Sequence, residues 1–207
     1  MTKKYKYKMI HLLIFRIKCI LFAPLYILFL INNKNRIMSK DLRQWEETQT
    51  VIKYKSEFFA FIRMFATFRE YRNLFFFRCG EISNIIKAFI PCTKELHFIT
   101  QKEYIEEGLV LWHGYSTIIF AESIGKNCQI WHNVTIGRAH DKGRRPRIGD
   151  NVKICTGAVV IGDIAIGNNV TIGACTIVTK NIPDNCIVCG NPAKIINKDG
   201  EKVNIKL

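Results

Sequence analysis

"RIGDNVKICTGAVVIGDIAIGNNVTIGACTIV", Arg147 to Val178, decides the fold. Ile148, Ile154, Val160, Ile166, Ile172 and Val178 stand six residues apart. The same phase runs back through Ile136, Ile130, Ile124 and Ile118. Four positions after the periodic residue the side chain is small or β-branched, as at Cys128, Val134, Val152, Ala158, Ile164, Val170 and Thr176. Neither helices nor ordinary strands repeat at six. A short fixed period of this kind marks a parallel β-helix, in which each unit supplies one short strand and one turn. Three units close a triangular coil, and the periodic aliphatics stack down its interior.

The period lapses once, over "GRAHDKGRRPR" (Gly137 to Arg147), where Lys142 stands in place of the next aliphatic. A polar, glycine-containing segment does not line an apolar core, so it is expected to leave the coil as a loop. It presents Arg138, His140, Lys142, Arg144, Arg145 and Arg147, a basic set suited to a phosphorylated cofactor or an anionic acceptor.

Upstream, the chain is of a different kind. Residues 1–90 hold 17 Lys and Arg against 6 Asp and Glu, so +11 of the net charge of +14 lies there. A basic, aromatic-rich segment of this kind is expected near an anionic surface. No nucleic-acid recognition motif is visible, so nucleic acid is not expected as a partner. "MIHLLIFRIKCILFAPLYILFLI" (Met9 to Ile31) is the most apolar stretch, but Arg16, Lys18 and Pro24 interrupt it, and no cleavage site of small residues follows. It reads either as an interfacial helix, giving membrane-surface association through residues 1–31, or as a helix packed into an oligomer. Residues 39–79 read as helix with Ser39 as N-cap, and Phe58, Phe61, Phe65 and Phe68 fall on one face. Pro91 marks a boundary between a helical arm, 1–91, and a β-helix domain, 92–207. The eight cysteines are scattered, and the single C-x-x-C (Cys186, Cys189) has no second pair, so reduced, mostly buried thiols in a cytoplasmic protein are expected.

The repeat, together with the closing segment "IVTKNIPDNCIVCGNPAKII" (Ile177 to Ile196), resembles the hexapeptide-repeat acyltransferases. Leu109 to Ile196 is most similar to serine acetyltransferases and to the O-acetyltransferases of capsule and exopolysaccharide synthesis. The resemblance implies a mainly β fold, a left-handed parallel β-helix preceded by an α-helical arm. It also implies a homotrimer with sites between neighbouring copies, and acetyl-coenzyme A as co-substrate without a metal.

In "LWHGYSTIIF" (Leu111 to Phe120), His113 falls where serine acetyltransferases carry their catalytic histidine. An imidazole suits removal of a hydroxyl proton at neutral pH. The resemblance further puts Gly157, Ala158, Gly173 and Ala174 along the pantetheine groove and Lys180 and Lys194 near the nucleotide phosphates. His132, His140, Arg144 and Arg145 are assigned by it to the acceptor and loop side.

Three departures bear on the acceptor. Trp112 stands where the family carries an aspartate, Arg145 where it has a second histidine, and Phe98 where the acid that orients the base is expected. Glu95, Glu106 and Glu107 are the candidates to replace that acid. These changes leave acetyl transfer intact but open the acceptor between L-serine and a sugar hydroxyl. Two readings of other classes remain: an inactive β-helix scaffold, and a γ-carbonic-anhydrase-like zinc hydrase using His113, His132 and His140.

Overall fold

The computed structural model describes residues 3–49 and 53–207, with the side chains of residues 3–8, 11 and 82 left aside. Residues 1–2 of the expected arm and 50–52 of the expected helix lie outside the described residues. Five helices come first: α1 (Lys3–Asn32), α2 (Ile37–Gln49), α3 (Glu57–Thr67), α4 (Arg69–Cys79) and the single turn α5 (Asn84–Lys87). The expected helix over 39–79 is therefore three helices. Ser39 does not cap one: it is buried within α2, and its amide and hydroxyl both bond to the side chain of Asn33. Pro24 does not stop α1, which runs through it as one helix.

The helices enclose an aromatic core. Phe61 and Phe65 are fully buried, and Phe61 packs against Phe29, Tyr71 and Phe75 with ring centres 5.2–6.3 Å apart. Such tilted and edge-on pairs are the favoured arrangement of aromatic rings.

The β-helix has three faces. The first carries β1 (Leu96–Phe98), β3 (Thr117–Ile119), β6 (Thr135–Gly137), β9 (Val159–Ile161) and β12 (Ile177–Val178), in that order and all parallel. The second carries β4 (Ser123–Ile124), β7 (Arg147–Ile148) and β10 (Ala165–Ile166), extended by bridges from Ile105 to Ile124 and from Ile166 to Ile182. The third carries β2 (Val110–Leu111), β5 (Gln129–Ile130), β8 (Lys153–Ile154), β11 (Thr171–Ile172) and β13 (Cys186–Cys189). On this face β14 (Lys194–Lys198) and β15 (Glu201–Lys206) then add in antiparallel order and end the stack.

Register shows how the six-residue period is met. Ile130, Ile154, Ile172 and Val188 are successive partners on the third face, all buried in the interior. The first member of the series departs from expectation. Ile118 is 39% exposed, and Ile119 is the interior residue, paired with Ile136. Ile119 and Ile124 are five apart in this coil, where Val160 and Ile166 on the same two faces are six apart, so a count of six back from Ile124 lands one residue early. A second irregularity lies one corner earlier. Leu111 pairs with Ile130, nineteen positions on, whereas Ile118 pairs with Thr135, seventeen on. The first coil therefore holds two extra residues between β2 and β3, and they are His113 and Gly114.

At the corner between the second and third faces, Asn127, Asn151, Asn169, Asn185 and Asp199 form a side-chain ladder with bonds of 2.9–3.3 Å. All five have positive φ, a conformation that Asn and Asp tolerate best among residues with a side chain. Beside it, Gly167 leaves room for the carboxylate of Asp184, whose oxygen would lie 2.2 Å from a Cβ there.

Arm and coil meet where a buried ion pair between α2 and α4 of the arm bonds to the backbone of the first coil. Arg78 Nε donates to Asp41 Oδ2 at 2.9 Å. Its remaining guanidinium protons reach the carbonyls of Ile105 at 2.6 Å and Glu106 at 2.7 Å. Asp41 Oδ1 accepts from the amides of Gly108 and Leu109, and the Trp45 indole donates to the Leu109 carbonyl. The α2–α4 layer thus satisfies the first rung of the third face.

Candidate active site

The corner between the third and first faces carries the sequence-predicted residues in a column. From the first coil upward it runs Trp112–His113, Trp131–His132, Cys155–Thr156–Gly157, Gly173–Ala174–Cys175 and Cys189–Gly190, following the register of the flanking strands. His113 is exposed and sits at φ +60. That is a costly conformation for a residue with a Cβ, and it occurs on a bulge that leaves the strand ladder. Gly114 follows at φ +21; a Cβ there would lie 3.1 Å from Glu70 Cγ and 3.1 Å from Leu96 Cδ2.

Two ring stacks flank the bulge. Trp112 lies over Trp131 with centroids 5.6 Å apart and planes 14° from parallel, and its indole N–H donates to Gln129 Oε1 at 3.0 Å. Tyr115 lies over His132 at 4.5 Å. The His132 ring is 6.0 Å from that of His113, edge-on. Its Nδ1 is buried and without a hydrogen-bond partner, a rare state for a buried polar atom.

Two carboxylates reach this corner. Glu95 accepts from Ser116 Oγ at 2.8 Å, and Glu70, from α4, packs against Gly114 while accepting from Thr93 Oγ1 at 3.3 Å. Glu70 is the residue that sequence spacing missed, because it comes from the arm, outside the repeat. Glu106 and Glu107 do not serve here. Glu107 is bound to Lys40 at 3.0 Å and Lys126 at 3.4 Å, at the corner between the second and third faces.

Above the histidines the column narrows to small residues. A Cβ on Gly173 would meet Cys189 Sγ at 2.4 Å, and one on Gly157 would meet Cys175 Sγ at 3.2 Å, so both positions are closed to larger side chains. Ala174 is exposed at the same corner, and Lys180 follows it, exposed. Ala158 is corrected: it is fully buried at the second interior position of its unit, so its side chain faces the core and not a groove. Lys194 lies half-buried on β14, beside Cys189.

The basic loop is not at this corner. It leaves between β6 and β7, where the first face meets the second. His140 and Arg144 are exposed on it. Arg145 is held, with its guanidinium 5.1 Å from the Phe120 ring centre and 3.3 Å from Glu122, and Arg138 covers the same ring at 5.3 Å. One copy therefore does not bring His140, Arg144 and Arg145 to His113. Among the described residues no group of three His, Cys, Asp or Glu side chains is arranged to hold a metal. An open cleft of about 670 Å³ between α4, α5 and β1, where Phe77 stacks on Phe98, does not include His113.

Comparison with known proteins agrees with this architecture. Residues 145–180 match the family model described as bacterial transferase hexapeptide (six repeats). A serine acetyltransferase of Bacillus pumilus is 37% identical over 145 residues, 65% of this chain and 61% of the relative. One of Synechococcus elongatus is 36% identical over 101 residues, 47% of this chain and 41% of the relative. The matched part thus spans two fifths to three fifths of these relatives' length. Among solved structures, Neisseria gonorrhoeae serine acetyltransferase in complex with serine aligns with a TM-score of 0.60 at 22% identity, covering 84% of this chain and 74% of that one. Brucella abortus serine acetyltransferase in complex with coenzyme A gives 0.58 at 21%, covering 81% and 69%. The chain is accordingly a left-handed parallel β-helix protein of hexapeptide repeats whose likeness, in sequence and in fold, is to serine acetyltransferases.

Proposed function

We propose that the protein is an acetyl-coenzyme A-dependent O-acetyltransferase, with L-serine the first acceptor to test. The observation that carries this reading is the single corner that joins an exposed histidine on a bulge to a column of small residues above it. His113 takes the proton of the acceptor hydroxyl as its oxygen attacks the thioester carbonyl. The tetrahedral intermediate then collapses, and the coenzyme A sulfur leaves with the proton returned from the imidazolium. The bulge takes the His113 and Gly114 amides out of the ladder, while the Tyr115 amide donates to the His113 carbonyl, and this supports the first two as donors to the developing oxyanion. Glu70, against Gly114, and Glu95, bonded to Ser116, are the candidates for the carboxylate that orients the imidazole. The pantetheine arm lies along Gly157, Gly173 and Ala174, and Lys180 and Lys194 face the phosphates.

A corner of a prism is convex, so a groove along it needs a second wall. A neighbouring copy in a homotrimer supplies that wall and brings its own His140, Arg144 and Arg145 to the site. The reaction belongs in the cytoplasm, where acetyl-coenzyme A is made. A second reading, transfer to a sugar hydroxyl, is favoured by the Trp112–Trp131 stack beside His113, since indole faces pack well on pyranose rings.

The test is thiol release from acetyl-coenzyme A with L-serine or a panel of sugars. His113→Ala is expected to lose roughly 10²–10⁴-fold in rate with unchanged thermal stability. Acceptor-dependent release that survives the substitution would remove His113 from the mechanism. Coenzyme A binding absent altogether would favour an inactive scaffold.

A further inference from the structure

Helix α1 has two apolar faces, and the structure uses one. Phe15, Phe22 and Phe29, seven residues apart, turn toward the body: Phe22 stacks edge-on to Phe65 at 5.2 Å, and Phe29 is fully buried against Phe61. On the opposite side Ile10, Leu13, Ile17, Ile20, Pro24, Ile27 and Ile31 follow one another at alternating steps of three and four. All seven are exposed, Ile20 by 78% and Ile31 by 70%. With the phenylalanines at the outer f position, this seam occupies the a and d positions of a heptad.

We infer that this seam is a self-association surface, on which α1 packs against α1 of other copies of the same chain. The seam's residues expose on the order of 700 Å² per copy, close to the ~800 Å² per partner of a standard interface. Its a and d positions are mostly isoleucine, a composition that favours three or more strands over two. The flanking positions agree: Ile14, Leu21 and Leu28 on one side and Met9, Ala23 and Leu30 on the other are apolar, as a wider, multi-stranded seam requires, and Arg16 is the one charge among them.

Leu12–Asn32 is long and apolar enough to cross a membrane. The packing argues against that occupant. The Tyr26 hydroxyl donates to Glu57 of α3 at 3.4 Å, so a spanning α1 would draw α3, with Glu57 and the exposed Arg63, into hydrocarbon. This inference does not depend on the acetyl-transfer reading.

The experiment is disulfide trapping in the full chain, with the wild type as the background of native cysteines. Ile20→Cys, at a d position, is expected to give on the order of tenfold more covalent dimer than Leu12→Cys, which is exposed but at c, because d residues face one another across the seam. Leu13→Cys repeats the test one heptad earlier, so a folding defect in one variant does not decide it. Equal yields at 12, 13 and 20, or none above background, overturn the inference. Flotation of the chain on phosphatidylcholine–phosphatidylglycerol vesicles without d-specific cross-links overturns it in favour of a lipid surface.

Discussion

The β-helix and the helical layer reach the same degree of burial by opposite means. In the β-helix each interior residue meets a near-copy of itself one coil away: Ile130, Ile154 and Ile172 are in register and differ only in height. The helical layer has no repeat, and its core is a set of unlike contacts among Phe29, Phe61, Phe65, Tyr71 and Phe75. A repeating structure spreads stability evenly over nearest-neighbour interfaces. A non-repeating one concentrates it, and here the buried ion pair Asp41–Arg78, between α2 and α4 of the layer, makes the hydrogen bonds to Ile105, Glu106, Gly108 and Leu109 that join it to the coil.

Four substitutions or probes break or sharpen that contrast. Asp41→Ala leaves the Arg78 guanidinium buried without its carboxylate, and about 3–5 kcal/mol of stability is expected to go. Calorimetry should show the helical layer melting before the coil; a single transition at the wild-type temperature would mean that the joint is not there. Gly167→Ala is expected to cost about 1–3 kcal/mol, because its Cβ would meet Asp184 Oδ1 at 2.2 Å and the Asp184 amide nitrogen at 2.6 Å. Denaturant melts measure it. Asn169→Ala removes one rung of the ladder and leaves an alanine at positive φ, for about 1–2 kcal/mol. The smallest effect concerns the thiols. Burial pushes Cys79 and Cys128 up to about 12, so at pH 8 they should resist a thiol reagent while exposed Cys175 reacts. Mass spectrometry of the native chain after brief labelling reads the order; rapid modification of Cys128 would mean that the coil opens.

The contrast also explains what could be read from residues alone. A period of six is visible because every coil needs the same side chain at the same place, and all ten periodic residues but Ile118 lie inside. Ile118 misled because the step from the first face to the second is one residue short in its coil, five from Ile119 to Ile124 against six from Val160 to Ile166. Two residues were added at one corner, and the extra pair is His113 and Gly114. Ala158 misled for a related reason: small residues occur both inside the coil and along its edge, and only the phase of the repeat separates them. Glu70 was out of reach, since no spacing rule links a helix residue to a turn more than forty positions away; packing against Gly114 makes that link. The loop was legible as a loop, but its corner was not, because a lapse of period says where the chain leaves and not which face it leaves from.

The meeting of α2 with the first rung has a bearing on what the molecule avoids. A stack of parallel strands is open at both ends, and each open end is a template on which another molecule could continue the stack. At the lower end of the third face the template is occupied: Asp41 takes the Gly108 and Leu109 amides, and Trp45 takes the Leu109 carbonyl. At the upper end β14 runs antiparallel to β13, and a parallel coil cannot be added to it in phase. The two ends are stoppered in different ways and do not fit one another, so the same chain that builds a repeating column is kept from becoming a filament.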